Sequence, residues 1–313
     1  MKYLKIDSKG NIITGTTVIL IASLILILIF VLTSMYTLEN ENTDSIANDN
    51  LKYIVNDYNR NLKVLSRDSI AEVTEEVYHG KYIFSSEREI KKVLNKKLDD
   101  KNKEYEKKYG VSISSNVLSI KNTDDPINLE VTTHLKISKN KDRFAGNLKS
   151  IISVEGLKDP LPYAILTPYS GIWHDDKKIH YGTTLTTYLT AHGIDKPEGY
   201  LGATSPLIIK KCPYDPYIHH GDGDTLQNCL KNGYFHESAD GSCYLCRLEG
   251  KGICPHYGFE VFIVPHCVGV EYSVSGSDHV VFHDRYPGHK INPEDPTELF
   301  LDVAHRTKYG VLV

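Results

Sequence analysis

The sequence lacks any excess of positive charge: 36 Lys and Arg stand against 40 Asp and Glu, a formal net charge of −4 over 313 residues. A nucleic-acid binder needs a basic footprint to neutralise phosphates, so no nucleic-acid partner is expected. Tryptophan occurs once, at Trp173, and cysteine is missing from the first 211 residues. No complete catalytic signature is present either. Ser277-Asp278-His279 and His283-Asp284 supply triad residue types without a nucleophile elbow, and the neighbouring Val280-Val281-Phe282 reads as strand. His219-His220-Gly221-Asp222-Gly223-Asp224 has ligand-type side chains on a flexible loop, but no Glu stands twelfth from Asp222, so it reads as a turn rather than a calcium loop.

Charge is also absent from Gly10 to Leu38, and within that stretch Val18–Val31 is almost purely Val, Ile, Leu and Phe. About 20 apolar residues cross the hydrocarbon core of a bilayer, and an amphipathic core helix would show a polar face that is not seen here. Residues 12–36 therefore predict a single membrane span. Lys2, Lys5 and Lys9 precede it and no further Lys or Arg appears until Lys52, which sets residues 1–11 in the cytoplasm and the bulk of the chain outside. The apolar run is longer than a secretory h-region and no small-x-small site follows it, which favours an anchor over a cleaved signal. The basic leader ending in Lys9-Gly10, followed directly by an apolar helix, resembles archaeal type IV pilin-like proteins over about 30 residues. That resemblance implies cleavage after Gly10 and packing of the helix into a filament. The Gln after the Gly and the Glu near the fifth position, both frequent in that group, are missing, so an uncleaved anchor is the reading preferred.

Residues 37–50 are a solvated Asn, Asp and Glu spacer. Leu51, Val55, Tyr58, Leu62 and Leu65 recur at helical spacing, and Val73 and Val77 continue the stripe. A second helix opens at Ser85-Ser86-Glu87-Arg88, with Ile90, Val93, Leu94 and Leu98 on its inner face. After Gly110 the period changes to two: 111–120, 127–137 and 144–154 predict three strands joined by turns at 122–125 and 139–142. Residues 51–157 thus read as a membrane-proximal helix-plus-antiparallel-meander stalk. Gly156, Pro160 and Pro162 mark a linker over 158–162. The whole is an α+β chain: a transmembrane helix, the stalk, and a Cys/His-rich domain, mainly β or irregular, over 163–313. Tyr309 to Val313 is expected to close that domain as a strand.

All six cysteines fall in this last domain: Cys212, Cys229, Cys243, Cys246, Cys254 and Cys267, along with 12 of the 14 histidines beyond residue 160. A segment with few apolar runs needs covalent or coordinate closure of its loops. An even count outside the membrane makes all six candidates for disulfides. The alternative is a metal site: the two-residue gap of Cys243 and Cys246 lets two thiolates grip one ion, and Cys254 and His256 complete a tetrahedral zinc set. His236, Cys229, His266 and Cys267 are further ligand candidates. No organic cofactor is expected; zinc is the ion this pattern suggests, and a position outside the membrane argues against an iron–sulfur cluster at Cys254-Pro255. Thiol chemistry would pair Cys267 with His266 or Cys254 with His256, yet no thioredoxin-like context surrounds the CxxC. Trp173 and the 21 tyrosines are side chains able to stack on sugars, and equally able to fill a β-rich core.

The expectation is a membrane-anchored extracytoplasmic surface protein with a non-catalytic binding, adhesion or envelope-structural role. Its partners would be the lipid bilayer and a cell-wall polymer or another surface protein. A metal- or thiol-dependent surface enzyme working through the Cys/His cluster is the alternative.

Overall fold

A computed structural model describes residues 21–23, 25, 49–166, 171–191, 197–239, 241–252, 254–263, 279–280 and 303–310. Of the expected membrane segment only Ile21–Ser23 and Ile25 are included, all helical; the rest of that segment, and the pilin-like leader with it, lies outside the described residues. Among the described residues no helix is long and apolar enough to cross a membrane.

Helix α1, Asp49–Tyr78, buries Leu51, Ile54, Val55, Tyr58, Leu62, Ile70, Val73 and Val77 along one stripe. Helix α2, Ser86–Tyr109, starts where the Ser85 hydroxyl accepts from the Arg88 N–H and stops where Gly110 turns left-handed at φ 60°. Both signals are local: a hydroxyl at the N-cap satisfies an orphan donor, and glycine takes the left-handed C′ position without a Cβ clash. Strands β1 (Ser112–Asn122), β2 (Asn128–Lys139) and β3 (Asp142–Ser153) form the expected antiparallel meander in the order β1-β2-β3. Leu129, Val131, Leu135 and Ile137 alternate inward from β2, each at most 2% exposed. Helix α2 packs over β1 and α1 over β3, so one face of the sheet is covered and the other is wet, as the alternation requires.

The remaining chain is α+β with small sheets. Helix α3 (Leu161–Leu166) leads to β4 (Trp173–His174), β5 (Lys178–His180), helix α4 (Thr183–Ala191) and β6 (Thr204–Pro206), which closes a three-stranded antiparallel sheet. Helix α5 (Thr225–Asn232), β7 (His236–Ser238), α6 (Tyr244–Leu248) and β8 (Gly258–Glu260) follow, with β7 and β8 antiparallel. A short β9 (Phe262–Ile263) pairs in parallel with β10 (His279–Val280), and α7 (Val303–Tyr309) ends the described chain.

Helix α6 packs on α2, α3 and β1, and one apolar cluster runs without a break from Leu51 to Ile263. Residues 158–162 are packed rather than solvated: Asp159 is 0% exposed, and α3 begins at Leu161 inside this segment. Proline at the second helical position removes an N–H that would lack a partner anyway, so Pro162 starts a helix here instead of preventing one. The chain end corrects another expectation. Tyr309 terminates helix α7 instead of entering a closing strand, since its ring is needed on the face of that helix that packs into the cluster described next. Val311–Val313 lie outside the described residues.

Candidate metal centres

Eight Cys and His side chains converge in two sets of four, and each set offers one ligand atom per residue with all atoms within 4.8 Å of one another. The first set is Cys212, His220, Cys229 and His236, all buried; the second is Cys243, Cys246, Cys254 and His256, of which only His256 is exposed.

In the first centre, four separate pieces of chain each deliver one ligand. Cys212 is fixed by its N–H donating to the Phe235 carbonyl (3.1 Å). His220 rides on a 3-10 turn, Tyr217–Gly221. Cys229 lies on α5 three residues after the wholly buried Leu226, so both face inward. His236 opens β7. The Cys212 Sγ stands 3.3 Å from Cys229 Sγ and 3.4 Å from His220 Nε2; His220 Nε2 is 3.1 Å from Cys229 Sγ and 3.2 Å from His236 Nε2. Four donors about 2.0–2.3 Å from a common tetrahedral centre stand about 3.3–3.8 Å apart, so these edges lie close to that figure.

The tautomer of His220 also fits. Its Nδ1 is 2.7 Å from the Tyr217 carbonyl, which can only accept, so Nδ1 carries the proton and Nε2 turns a lone pair toward the centre. Helix α7 closes the site: the Tyr309 ring lies 5.0 Å from His236 and 5.4 Å from His220. The Tyr309 hydroxyl donates to the buried Glu260, and Lys308 adds an ion pair to the same carboxylate (2.6 Å). Burial holds the Tyr309 hydroxyl far above its ordinary range, so it stays a donor at every physiological pH.

The second centre is built on the CxxC. Cys243 is the N-cap of α6, and Cys246 is one turn further on. His256 Nδ1 is 3.6 Å from both sulfurs, and the Cys243 N–H donates to Cys254 Sγ (3.3 Å). This backbone N–H fixes the Cys254 sulfur beside the CxxC.

Protonation follows the same geometry. In each centre one thiol donates to a neighbour: the hydrogen bond from Cys229 pulls Cys212 well below the ordinary thiol range, and that from Cys246 brings Cys243 down to about 6. The donors are pushed up in return, Cys229 and Cys246 both rising above their usual value. Burial lowers the pKa of His236, which keeps its ring neutral. Each set therefore holds one thiolate beside a protonated thiol, and an ion that enters displaces the proton of the second sulfur.

The disulfide expectation is corrected for five of its six residues. Cys212, Cys229, Cys243, Cys246 and Cys254 are free thiols, and the Cys212–Cys229 sulfurs are 3.3 Å apart, against about 2.05 Å in a disulfide. Cys267 lies outside the described residues, as do His266 and Asp278. The expected ligand set Cys243, Cys246, Cys254 and His256 comes together in one place. Cys229 and His236, named as further ligands, meet in the other. His220 was missed. Its run His219–Asp224 does make a turn, with His219 Nδ1 on Asp222 (2.9 Å), but the turn sends His220 inward. The available signal was its distance from cysteine, eight residues after Cys212 and nine before Cys229.

Compared with protein-family models, with curated proteins and with solved structures, the chain matches none.

Proposed function

We propose that the protein is a single-pass membrane protein whose exported part carries a zinc-stapled head with a non-catalytic binding or envelope-structural role. One observation carries the reading: among the described residues, eight Cys and His side chains form two complete sets of four. Zinc with four protein ligands has no open position, whereas catalytic zinc keeps three and leaves the fourth to water. Thiolate-rich tetrahedral sets suit zinc and disfavour the oxygen-seeking calcium and magnesium. Burial of seven of the eight ligands is compatible with reduced thiols in an exported head, because an oxidant must first reach the sulfur. The anchor rests on the uncharged stretch from Gly10 to Leu38 and the lysines before it.

The alternative, a metal-dependent enzyme, rests on exposed His256, which would have to leave the ion to admit water. Two measurements decide. Full-length protein purified in detergent without oxidant should hold two zinc ions per chain, one for each set, with the five ligand cysteines unreactive to alkylation until chelator is added. Protease added to whole cells should remove the part beyond residue 49. Disulfide-bonded cysteines in place of zinc, or a head sheltered from protease, would overturn the proposal. A zinc-bound exchangeable water at the second centre would favour the enzyme.

A further inference from the structure

A cavity of about 310 Å³ opens beside the first metal centre, its wall including Cys229 and the turn after α5. Lys177, Lys178, Lys210 and Lys231 line it, with Asp176 as the one acid. No ion pair joins any of these four lysines to an acid among the described residues, whereas Lys158, Lys211 and Lys308 are all paired. Four ammonium groups around one concavity repel each other and raise the local concentration of anions. The buried Thr204 and the exposed Asn232 add neutral hydrogen-bonding groups to the wall.

Register places an aromatic surface next to it. Trp173 pairs with His180, His180 with Thr204, and Lys178 with Pro206. Directly paired residues, and residues two apart on a strand, share a face, so Trp173, His180, Thr204 and Lys178 line one side of this small sheet. Ile179, between them, points the other way and is wholly buried. The indole stacks on the His180 ring at 3.9 Å and 5°, and Asp175 holds that imidazole at 3.0 Å. Trp173 nevertheless stays 56% exposed. A large aromatic that is oriented by its neighbours and left in solvent is a stacking platform rather than core.

We propose that this face binds an anionic glycan: sugar rings stack on Trp173 while carboxylates on the following rings enter the lysine-lined cavity. Rings alone would not use the lysines, and charge alone would not use the indole. Asp176 in the wall disfavours a dianionic phosphate more than a singly charged carboxylate. The inference supplies a ligand class for the binding role proposed above, and rests on that reading.

Trp173 is the only tryptophan, so its emission reports this face alone. Full-length protein in detergent, first checked for two zinc ions per chain, is titrated with an oligogalacturonide. Its methyl-esterified form provides the same rings without charge, and polyphosphate provides charge without rings. The emission should shift saturably with the acidic sugar, and the response should weaken as salt is added. The methyl ester should bind at least about tenfold more weakly, as should the double variant Lys178→Glu/Lys210→Glu measured by calorimetry. Trp173→Ala should lose about threefold or more in affinity, since base- and ring-stacking on an aromatic contributes on the order of a kcal/mol. No response on zinc-loaded protein up to about 1 mM, the top of the weak-binding range, overturns the glycan site while the zinc head stands. Equal binding of the ester, or of polyphosphate, also overturns it. Binding by protein that carries no zinc supports the glycan site and removes the zinc reading instead.

Discussion

Arg247 and Asp159 form a two-pronged ion pair with both side chains at 0% exposure: Nε to Oδ1 at 2.8 Å and Nη2 to Oδ2 at 2.5 Å. Arg247 stands on α6 directly after Cys246, and Asp159 lies six residues past the end of β3. The pair therefore joins the second metal centre to the meander. The guanidinium also donates to the Phe259 carbonyl (3.2 Å) and lies over the Phe259 ring. Removing one member of a buried pair leaves the other charge unpaired in a poor solvent, which costs about 3–5 kcal/mol. Asp159→Asn and Arg247→Met should each lower stability by that order in urea unfolding, and the double variant Asp159→Leu/Arg247→Met should recover much of it. A double variant no better than the singles would show that shape, not charge, fixes this junction.

The two metal centres share no ligand, so they should empty separately. Cys246→Ser should reduce bound zinc from two ions per chain to one and leave the first centre loaded; His220→Ala should do the reverse. Because ligand sets close the loops on which they stand, each variant should also melt at lower temperature than the wild type. Elemental analysis with calorimetric melting measures both, and loss of both ions from a single substitution would contradict independence.

Glycine at 258 is required by close approach rather than by backbone angle. A Cβ there would stand 2.3 Å from the Ser242 carbonyl carbon and 2.7 Å from the Cys243 nitrogen. Gly258→Ala must push the Cys243 ligand aside or break the Ser242–Phe259 bridge. The expected destabilisation is about 1–3 kcal/mol, the usual range for overpacking, with weaker zinc retention at the second centre alone under competing chelator. Unchanged retention would mean that the segment carrying Ser242 shifts without moving the Cys243 sulfur.

Acid sensitivity should reside partly at Asp57, between the long helices. Its carboxylate accepts from Tyr105 (2.6 Å) and Tyr109 (3.2 Å), and the Tyr105 hydroxyl above all holds it below its ordinary value of 3.8. A depressed folded value means that this carboxylate contributes stability above the unfolded pKa and loses it as pH falls through the folded one. Asp57→Asn should therefore be less stable than wild type at pH 7, by less than about 1 kcal/mol because solvent screens the site. The gap should close as pH falls below 3.8 and through the lowered folded value. Urea unfolding across pH tests it, and a gap that widens in acid would give the opposite sign.

The helix-plus-meander unit was legible because its signals are local. Ser85 and Gly110 bound α2 where the chain itself supplies a cap, and the alternation Leu129, Val131, Leu135, Ile137 can satisfy only one register against a covered face. The CxxC with Cys254 and His256 was legible for the same reason, since its ligands fall within 14 residues. The first centre was not. Cys212 and His236 are separated by a 3-10 turn and a helix, and whether thiols so spaced bond to each other or around an ion depends on where those elements pack.

Sequence alone determined the helical stripe, the meander, the compositional break after Gly156 and one of two metal sets, because each follows from neighbours on the chain or from a simple period. Tertiary structure alone decided that His220 points inward, that Tyr309 covers a Cys/His cluster from a helix, and that Trp173 faces solvent near four lysines with no ion-pair partner among the described residues. Those outcomes depend on distance through space, where residues far apart in order compete for the same buried volume.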